Sequence, residues 1–246
     1  ITSGGILKQL MTQMGEPFLT VPKGYQPRAA FLYMFTTLAI VASHLNVTDS
    51  AVKEDLLETS NVLKTLSSQL SKKVSTSSNI SKQHAVAIHG TTALVYGFDL
   101  YTSVARRMKG QFNENGKNPS YFDSFSELNH NETVGWEITD DISKNFSCFL
   151  IRDEKYENDP IKVRIEYTKQ ILEKKAKAII ELEPLGNSRL ARMHSLIYYG
   201  DFISVYLAIL NGCNPTPVNY IQGLKDELKN KVNLQDKIIE EIEQLK

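Results

Sequence analysis

The sequence predicts an α/β protein: a three-layer α/β/α sandwich on a mainly parallel sheet, preceded by connecting helices. Two observations carry the fold. Short apolar runs (TTALVYGF, FSCFLIR and AKAIIELE) are rich in β-branched and aromatic residues. They alternate with longer segments of helical periodicity, at the spacing of strand–helix units. A third concerns size: 246 residues, 41% hydrophobic and 23% charged, suffice to bury a sizeable core.

The elements follow in chain order. ITSGG reads as a strand end and a turn, an opening that suggests a chain cut from something longer. Ile6 to Met14 has Ile6, Leu7 and Leu10 at helical spacing. Glu16 to Arg28 carries prolines and a glycine and reads as extended loop. AAFLYMFTTLAIVASHL, Ala29 to Leu45, is expected as a buried helix. Val52, Leu56, Leu63, Leu66 and Leu70 mark one face of a second long helix. Ser-rich VSTSSNISK suggests a boundary. HAVAIHG, His84 to Gly90, fits a strand or a helix end; the helix is favoured, capped by Ser81 and ending at Gly90. TTALVYGF is a strand, and Asp99 to Gln111 a helix facing inward with Leu100, Val104 and Met108. The polar stretch after it, Asn113 to Glu137, reads as loop. FSCFLIR is a strand, Pro160 to Lys175 a helix, AKAIIELE a strand, and Ser188 to Leu210 a long helix with Ser188 as its cap. Pro217 to Lys229 is another helix, and the tail a short amphipathic one.

Lys plus Arg and Asp plus Glu number 28 each, so no electrostatic footprint points to nucleic acid or to an anionic membrane. No apolar run is expected to approach the roughly 18 residues of a membrane span. Cys148 and Cys213 lack metal-binding spacing and read as free thiols of a reducing compartment.

The stretch NENGKNPSYFDSFSELNHNETVGWE sets Glu114 and His130 each between two asparagines. One reading is a carboxylate base and an imidazole held by polar neighbours; the other is a solvated loop. Ligands of such sheets bind at the carboxyl ends of the strands, an edge this stretch could reach.

Four pieces together resemble one family: TSGG at Thr2 to Gly5, QPRAAF around Arg28, NENGK followed by ELNHNETVGWE, and the long run from Ser188 to Lys225. The chain resembles the archaeal and bacterial type of bifunctional phosphoglucose/phosphomannose isomerase, built from two sugar isomerase (SIS) domains, from Ile1 to about Leu228. The resemblance implies a remnant of a first SIS domain at 1–20, a connecting loop and helices at 21–80, a second SIS domain at 81–228 and a helical extension at 229–246. The main phosphate-binding loop is expected to lie outside the chain.

The resemblance also implies a reaction: aldose–ketose isomerisation of hexose 6-phosphates through a cis-enediol, without cofactor or metal, in a cytoplasmic enzyme. Glu114 matches the proton-shuttling base and His130 the ring-opening histidine, which enters the site from the partner of a homodimer. Arg28 matches the arginine beside the enediolate, and Lys225 a lysine reaching the ring oxygen. Thr2, Ser3, Gly4 and Thr216 match substrate-binding positions. Five of them have a plainer alternative: a helix cap for Thr2 and Ser3, a helix-end cap or plain solvation for Glu114, a salt bridge for Arg28, a solvated amine for Lys225. A SIS-type module that binds a sugar phosphate without turning it over is the competing function. The retained Glu/His/Arg/Lys set argues against it, because a sensor needs no proton shuttle.

Overall fold

The apolar runs become a four-stranded, all-parallel sheet in a computed structural model, which describes residues 1–48, 51–137 and 140–244. The strands are β1 (Thr92–Phe98), β2 (Ser120–Phe125), β3 (Phe146–Ile151) and β4 (Ala178–Leu182), in the spatial order β2-β1-β3-β4. Val95 lies opposite Phe122 on one side and Phe149 on the other, and Phe149 lies opposite Ile180. Central strands β1 and β3 are buried along almost their whole length, which is why they read as unbroken apolar runs.

β2 falls within the stretch expected as loop. SYFDSF follows Asn-Pro and sits at the sheet edge, with Tyr121 and Phe122 exposed. An edge strand shows neither a continuous apolar run nor a clean alternation.

The helices are α1 (Gly5–Met14), α2 (Phe31–His44), α3 (Val52–Leu70), α4 (Ile80–Ile88), α5 (Tyr101–Glu114), the single turn α6 (Asp140–Ser143), α7 (Asp159–Leu172), α8 (Arg189–Leu210), α9 (Asn219–Val232) and α10 (Leu234–Gln244). The last two residues of the expected extension, 245 and 246, lie outside the described part. The units β1–α5–β2 and β3–α7–β4 step away from each other across the sheet. Right-handed crossovers therefore put α5 and α7 on opposite faces, giving three layers. α4, α5 and α8 pack together on one face, with α3 along the outside of α8. α8 and α5 approach closely at Gly200, where a Cβ would stand 2.5 Å from Met108 Cγ. α8 is long and apolar enough to cross a membrane, beyond what the sequence reading allowed. It is the core helix of this layer instead: Ala191, Leu196, Ile203 and Leu207 are fully buried.

Three local expectations are corrected. α4 is capped by Asn79, whose side chain accepts from the Lys82 N–H at 3.1 Å. Ser81 lies inside the first turn, buried, while Gly90 takes the expected left-handed conformation at φ 79°. α5 turns Tyr101 inward rather than Leu100, and runs on to Glu114. α2 forms, but none of its residues is fully buried, and Leu38 is 59% exposed. Its composition fits a core, yet only the side with Phe31 and Phe35 finds cover, against His194 of α8. Other expectations hold: Leu66 and Leu70 of α3 are buried, and Ser188 caps α8 by accepting from the Ala191 N–H at 3.2 Å.

The core also holds an acid-sensitive group. His84 of α4 packs edge-on to Phe149, and its Nδ1 is buried without a partner. Burial pushes its pKa from 6.5 down to about 4. Between those values the unfolded chain binds more protons than the folded one. Stability is therefore present above about pH 6.5 and is lost as pH falls towards about 4. With partial exposure allowed for, the loss should be on the order of 2 kcal/mol. Urea titrations of the His84→Gln variant should show a flatter pH dependence across this window; an unchanged slope would place the acid sensitivity in other groups.

Candidate active site

α5 leaves the carboxyl end of β1 and runs back along the sheet, so its last residue, Glu114, arrives at the amino edge of the strands. The turn that follows is tied to that edge. The Asn118 side chain donates to the Thr91 carbonyl at 2.9 Å, just before β1. Gly116 is needed for close approach: a Cβ there would stand 2.6 Å from the Phe112 carbonyl oxygen and 3.2 Å from Leu207. Lys117 Nζ donates to the carbonyls of Glu114 (2.6 Å) and Pro217 (2.5 Å), stapling the helix end to the segment before α9.

Arg28 comes to this point from the loop before α2. Its Nε donates to Asn115 Oδ1 at 2.7 Å, and its Nη1 to Glu114 Oε2 at 3.3 Å. Its Nη2 donates to the carbonyls of Pro215 (2.9 Å) and Thr216 (2.8 Å). The Arg28 side chain is 9% exposed and that of Glu114 41%, so the cation is fixed while the carboxylate keeps an open side. Asn115 is itself held, its Nδ2 donating to Ser204 Oγ of α8 at 2.9 Å. In the sequence Asn115 is only a polar neighbour of Glu114; the structure makes it the acceptor that orients Arg28.

Glu114 and Arg28 line a cavity of about 550 Å³, together with Arg106, Arg107, Ile221 and Lys225. The expected residues Arg28, Glu114 and Lys225 are thus brought together, and Thr216 joins them through its backbone carbonyl. Two expected groups are not. His130 is exposed on a 3₁₀ turn beyond the carboxyl end of β2, stabilised by its N–H to the Glu127 carbonyl at 2.8 Å. The six residues of β2 separate the two edges by roughly 20 Å. Thr2, Ser3 and Gly4 do not line this cavity. The Thr2 hydroxyl bonds the Gly4 backbone, and α1 is capped by Gly4 without any side-chain cap.

The asparagines flanking His130 also have structural work. Asn129 Nδ2 donates to Thr168 Oγ1 at 2.8 Å on α7, and Asn131 Nδ2 to Glu127 Oε1 at 3.0 Å. Glu132 accepts from the Tyr96 hydroxyl of the central strand, and Trp136 is buried beside Phe146. Burial raises the Glu132 carboxyl above its ordinary value.

The crevice where ligands of doubly wound sheets usually sit, between the carboxyl ends of β1 and β3, is occupied by protein. Asp153, 1% exposed, accepts from Arg192 Nε at 2.8 Å, from Arg192 Nη2 and from the Tyr101 hydroxyl. Burial pushes the Asp153 carboxyl up, but Arg192 and Tyr101 more than offset it and hold the group low. The expectation of a site at the carboxyl edge is therefore corrected for Glu114, which sits at the opposite edge. Among the described residues no group of three or more His, Cys, Asp or Glu is placed to hold a metal.

Residues 77–228 match the bacterial phospho-glucose isomerase C-terminal SIS domain. The chain belongs to that family. It is 39% identical over 230 residues to a bifunctional phosphoglucose/phosphomannose isomerase of Caldicellulosiruptor bescii, covering 93% of this chain and 67% of that protein. It is 37% identical over 229 residues to the protein of the same description from Aquifex aeolicus, again covering 93% and 67%. A crystal structure of a glucose-6-phosphate isomerase-like protein from Thermus thermophilus has the same fold, with TM-score 0.58 at 23% identity, over 68% of this chain and 55% of that one. The span matched to the SIS domain takes in Glu114, His130, Thr216 and Lys225, while Arg28 and the Thr2–Gly4 turn precede it.

The SIS domain's amino edge has little slack at Gly116. Gly116→Ala should cost about 1–3 kcal/mol, because the methyl group can be placed only by moving Phe112 or Leu207. A thermal melt matching that of the unaltered protein would show that the turn can relax.

Proposed function

We propose that this chain acts as an aldose–ketose isomerase on hexose 6-phosphates, interconverting glucose 6-phosphate or mannose 6-phosphate with fructose 6-phosphate. The observation that carries this reading is the Arg28–Glu114 contact at 3.3 Å in a cavity also lined by Lys225. A half-exposed carboxylate beside a fixed guanidinium suits proton transfer next to a developing oxyanion.

In this reading the Glu114 carboxylate takes the C2 proton of the open-chain aldose. The electron pair moves into the C1–C2 bond, and negative charge develops on O1 facing Arg28. O1 gains a proton to give the cis-enediol. Glu114 then delivers its proton to C1 while the C2 hydroxyl returns a proton to solvent, matching the one that O1 took up from it, and the ketose is left. Lys225 is assigned to the ring oxygen, Thr216 to tolerance of either C2 epimer, and the Thr2–Ser3–Gly4 turn to substrate hydroxyls. His130, about a strand's length from Glu114 in its own chain, is assigned to ring opening in the site of a partner subunit, so the active form is a homodimer. The free thiols Cys148 and Cys213 suit a cytoplasmic enzyme.

Glu114→Gln should retain hexose 6-phosphate binding and lose isomerisation by on the order of 10²–10⁴-fold. The direct readout is exchange of the C2 proton with solvent deuterium, alongside a coupled assay from fructose 6-phosphate. Binding by the unaltered protein without any exchange would make it a sensor rather than an enzyme. Mixing inactive His130→Ala and Glu114→Gln proteins should restore part of the activity, since one site of each mixed dimer keeps both groups. No recovery despite demonstrated subunit exchange would remove His130 from the partner's site.

A further inference from the structure

Arg28 rides on a stretch without helix or strand, and a side chain carried by a loop is only as well placed as the loop's anchors. The side-chain contacts of Arg28 orient its guanidinium, and its backbone lies in a local turn in which the Ala29 and Ala30 N–H groups donate to the Gln26 carbonyl at 2.9 and 3.0 Å, but something else must tie that turn to the helices of the domain. Arg107, midway along α5, does that. Its Nη2 donates to the Arg28 carbonyl oxygen at 3.2 Å and to both carboxylate oxygens of Asp201 on α8, at 3.2 and 3.0 Å. Its guanidinium carbon lies 4.2 Å from the centroid of the Phe31 ring, at the start of α2. One planar group thus grips the loop at carbonyl 28 and again three residues on. Asp201 is steadied in turn by Gln111, whose Nε2 donates to Oδ1 at 2.8 Å. The Arg107 side chain is 17% exposed and that of Asp201 30%, so solvent screens this pair only in part.

We propose that Arg107 and Asp201 form a positioning pair for Arg28, mounting the loop so that the Arg28 guanidinium faces Glu114. Its effect on turnover rests on the isomerase reading; its structural content, where Arg28 is held, does not. Arginine is required rather than a cation in general. A lysine ammonium on its shorter stem can stay beside Asp201 but cannot also reach the carbonyl and lie flat on Phe31.

The test uses the whole chain and two mild variants, Arg107→Lys and Asp201→Asn, each checked for an intact fold by circular dichroism. The activity-independent readout is the ¹⁵N–¹H signal of Arg28 Nε, assigned by its loss in Arg28→Lys. Bonded to Asn115 in the unaltered protein, it should exchange with solvent about tenfold faster in both variants. Where isomerase activity is measured, kcat/KM should fall about ten- to a hundredfold, mostly in kcat, as expected for misplacement of a group that acts in the transition state. The double variant Arg28→Lys/Arg107→Lys should lose no more than Arg28→Lys alone. An unchanged Arg28 signal in the folded variants, or losses that multiply in the double variant, would overturn the proposal. An unaltered protein without isomerase activity would sink the isomerase reading instead, and the Arg28 signal would still decide where its loop is anchored.

Discussion

One guanidinium joins three parts of this chain that the sequence keeps far apart. Arg28 bonds Asn115, 87 positions on, and the Thr216 carbonyl, 188 positions on. Its four side-chain hydrogen bonds go to four different acceptors, two of them backbone carbonyls. A buried guanidinium left with any of these unmade would hold an unsatisfied donor, so the helix end, the loop before α2 and the segment before α9 are constrained together. Arg28 thereby closes one side of the cavity and decides which face of Glu114 stays open.

The sheet decides where that constraint can act. A crossover helix returns to the amino edge, so a residue at its end lies at the edge opposite the one where doubly wound sheets usually bind ligands. Here the usual edge is filled by Asp153, Arg192 and Tyr101, which satisfy one another. The same geometry explains why His130 and Glu114, 16 residues apart in sequence, stand at opposite edges: β2 runs the full width of the sheet between them. A single chain cannot fold the two into one cavity without giving up that strand.

What the sequence made legible follows from what is local. β1 and β3 are buried and β4 partly so, and their apolar runs announce them; the helices announce themselves by periodicity, and α8 also by its Ser188 cap. β2 is hidden because an edge strand presents Tyr121 and Asp123 as readily as any loop does. α2 misleads in the other direction, since its composition is that of a core while its surroundings here cover one side only. The pairing of Arg28 with Glu114 came from a resemblance of short motifs, not from any pattern between them. Asn115, Arg107 and Asp201 stayed invisible because each matters through a contact with a distant segment, and an arginine on a helix face reads by default as solvated.

Charge placement separates the two arginine pairs. The chain as a whole is neutral, with 28 residues of each sign. Yet Arg28, Arg106, Arg107 and Lys225 all line the cavity around Glu114. Arg28 pairs with Glu114 and Arg107 with Asp201, while Arg106 and Lys225 have no ion pair among the described residues. The surplus favours an anion, as a sugar phosphate would be. In the proposed reaction Glu114 gains a proton just as negative charge appears on the substrate oxygen. As that proton moves, Arg28 therefore faces one negative charge, first on the protein and then on the substrate, and little around it needs to reorganise in that step. Asp201 takes no part in that transfer. Its charge stays constant through the step, so the pull it exerts on Arg107 does too, and the loop carrying Arg28 has a mount that does not shift as the proton moves.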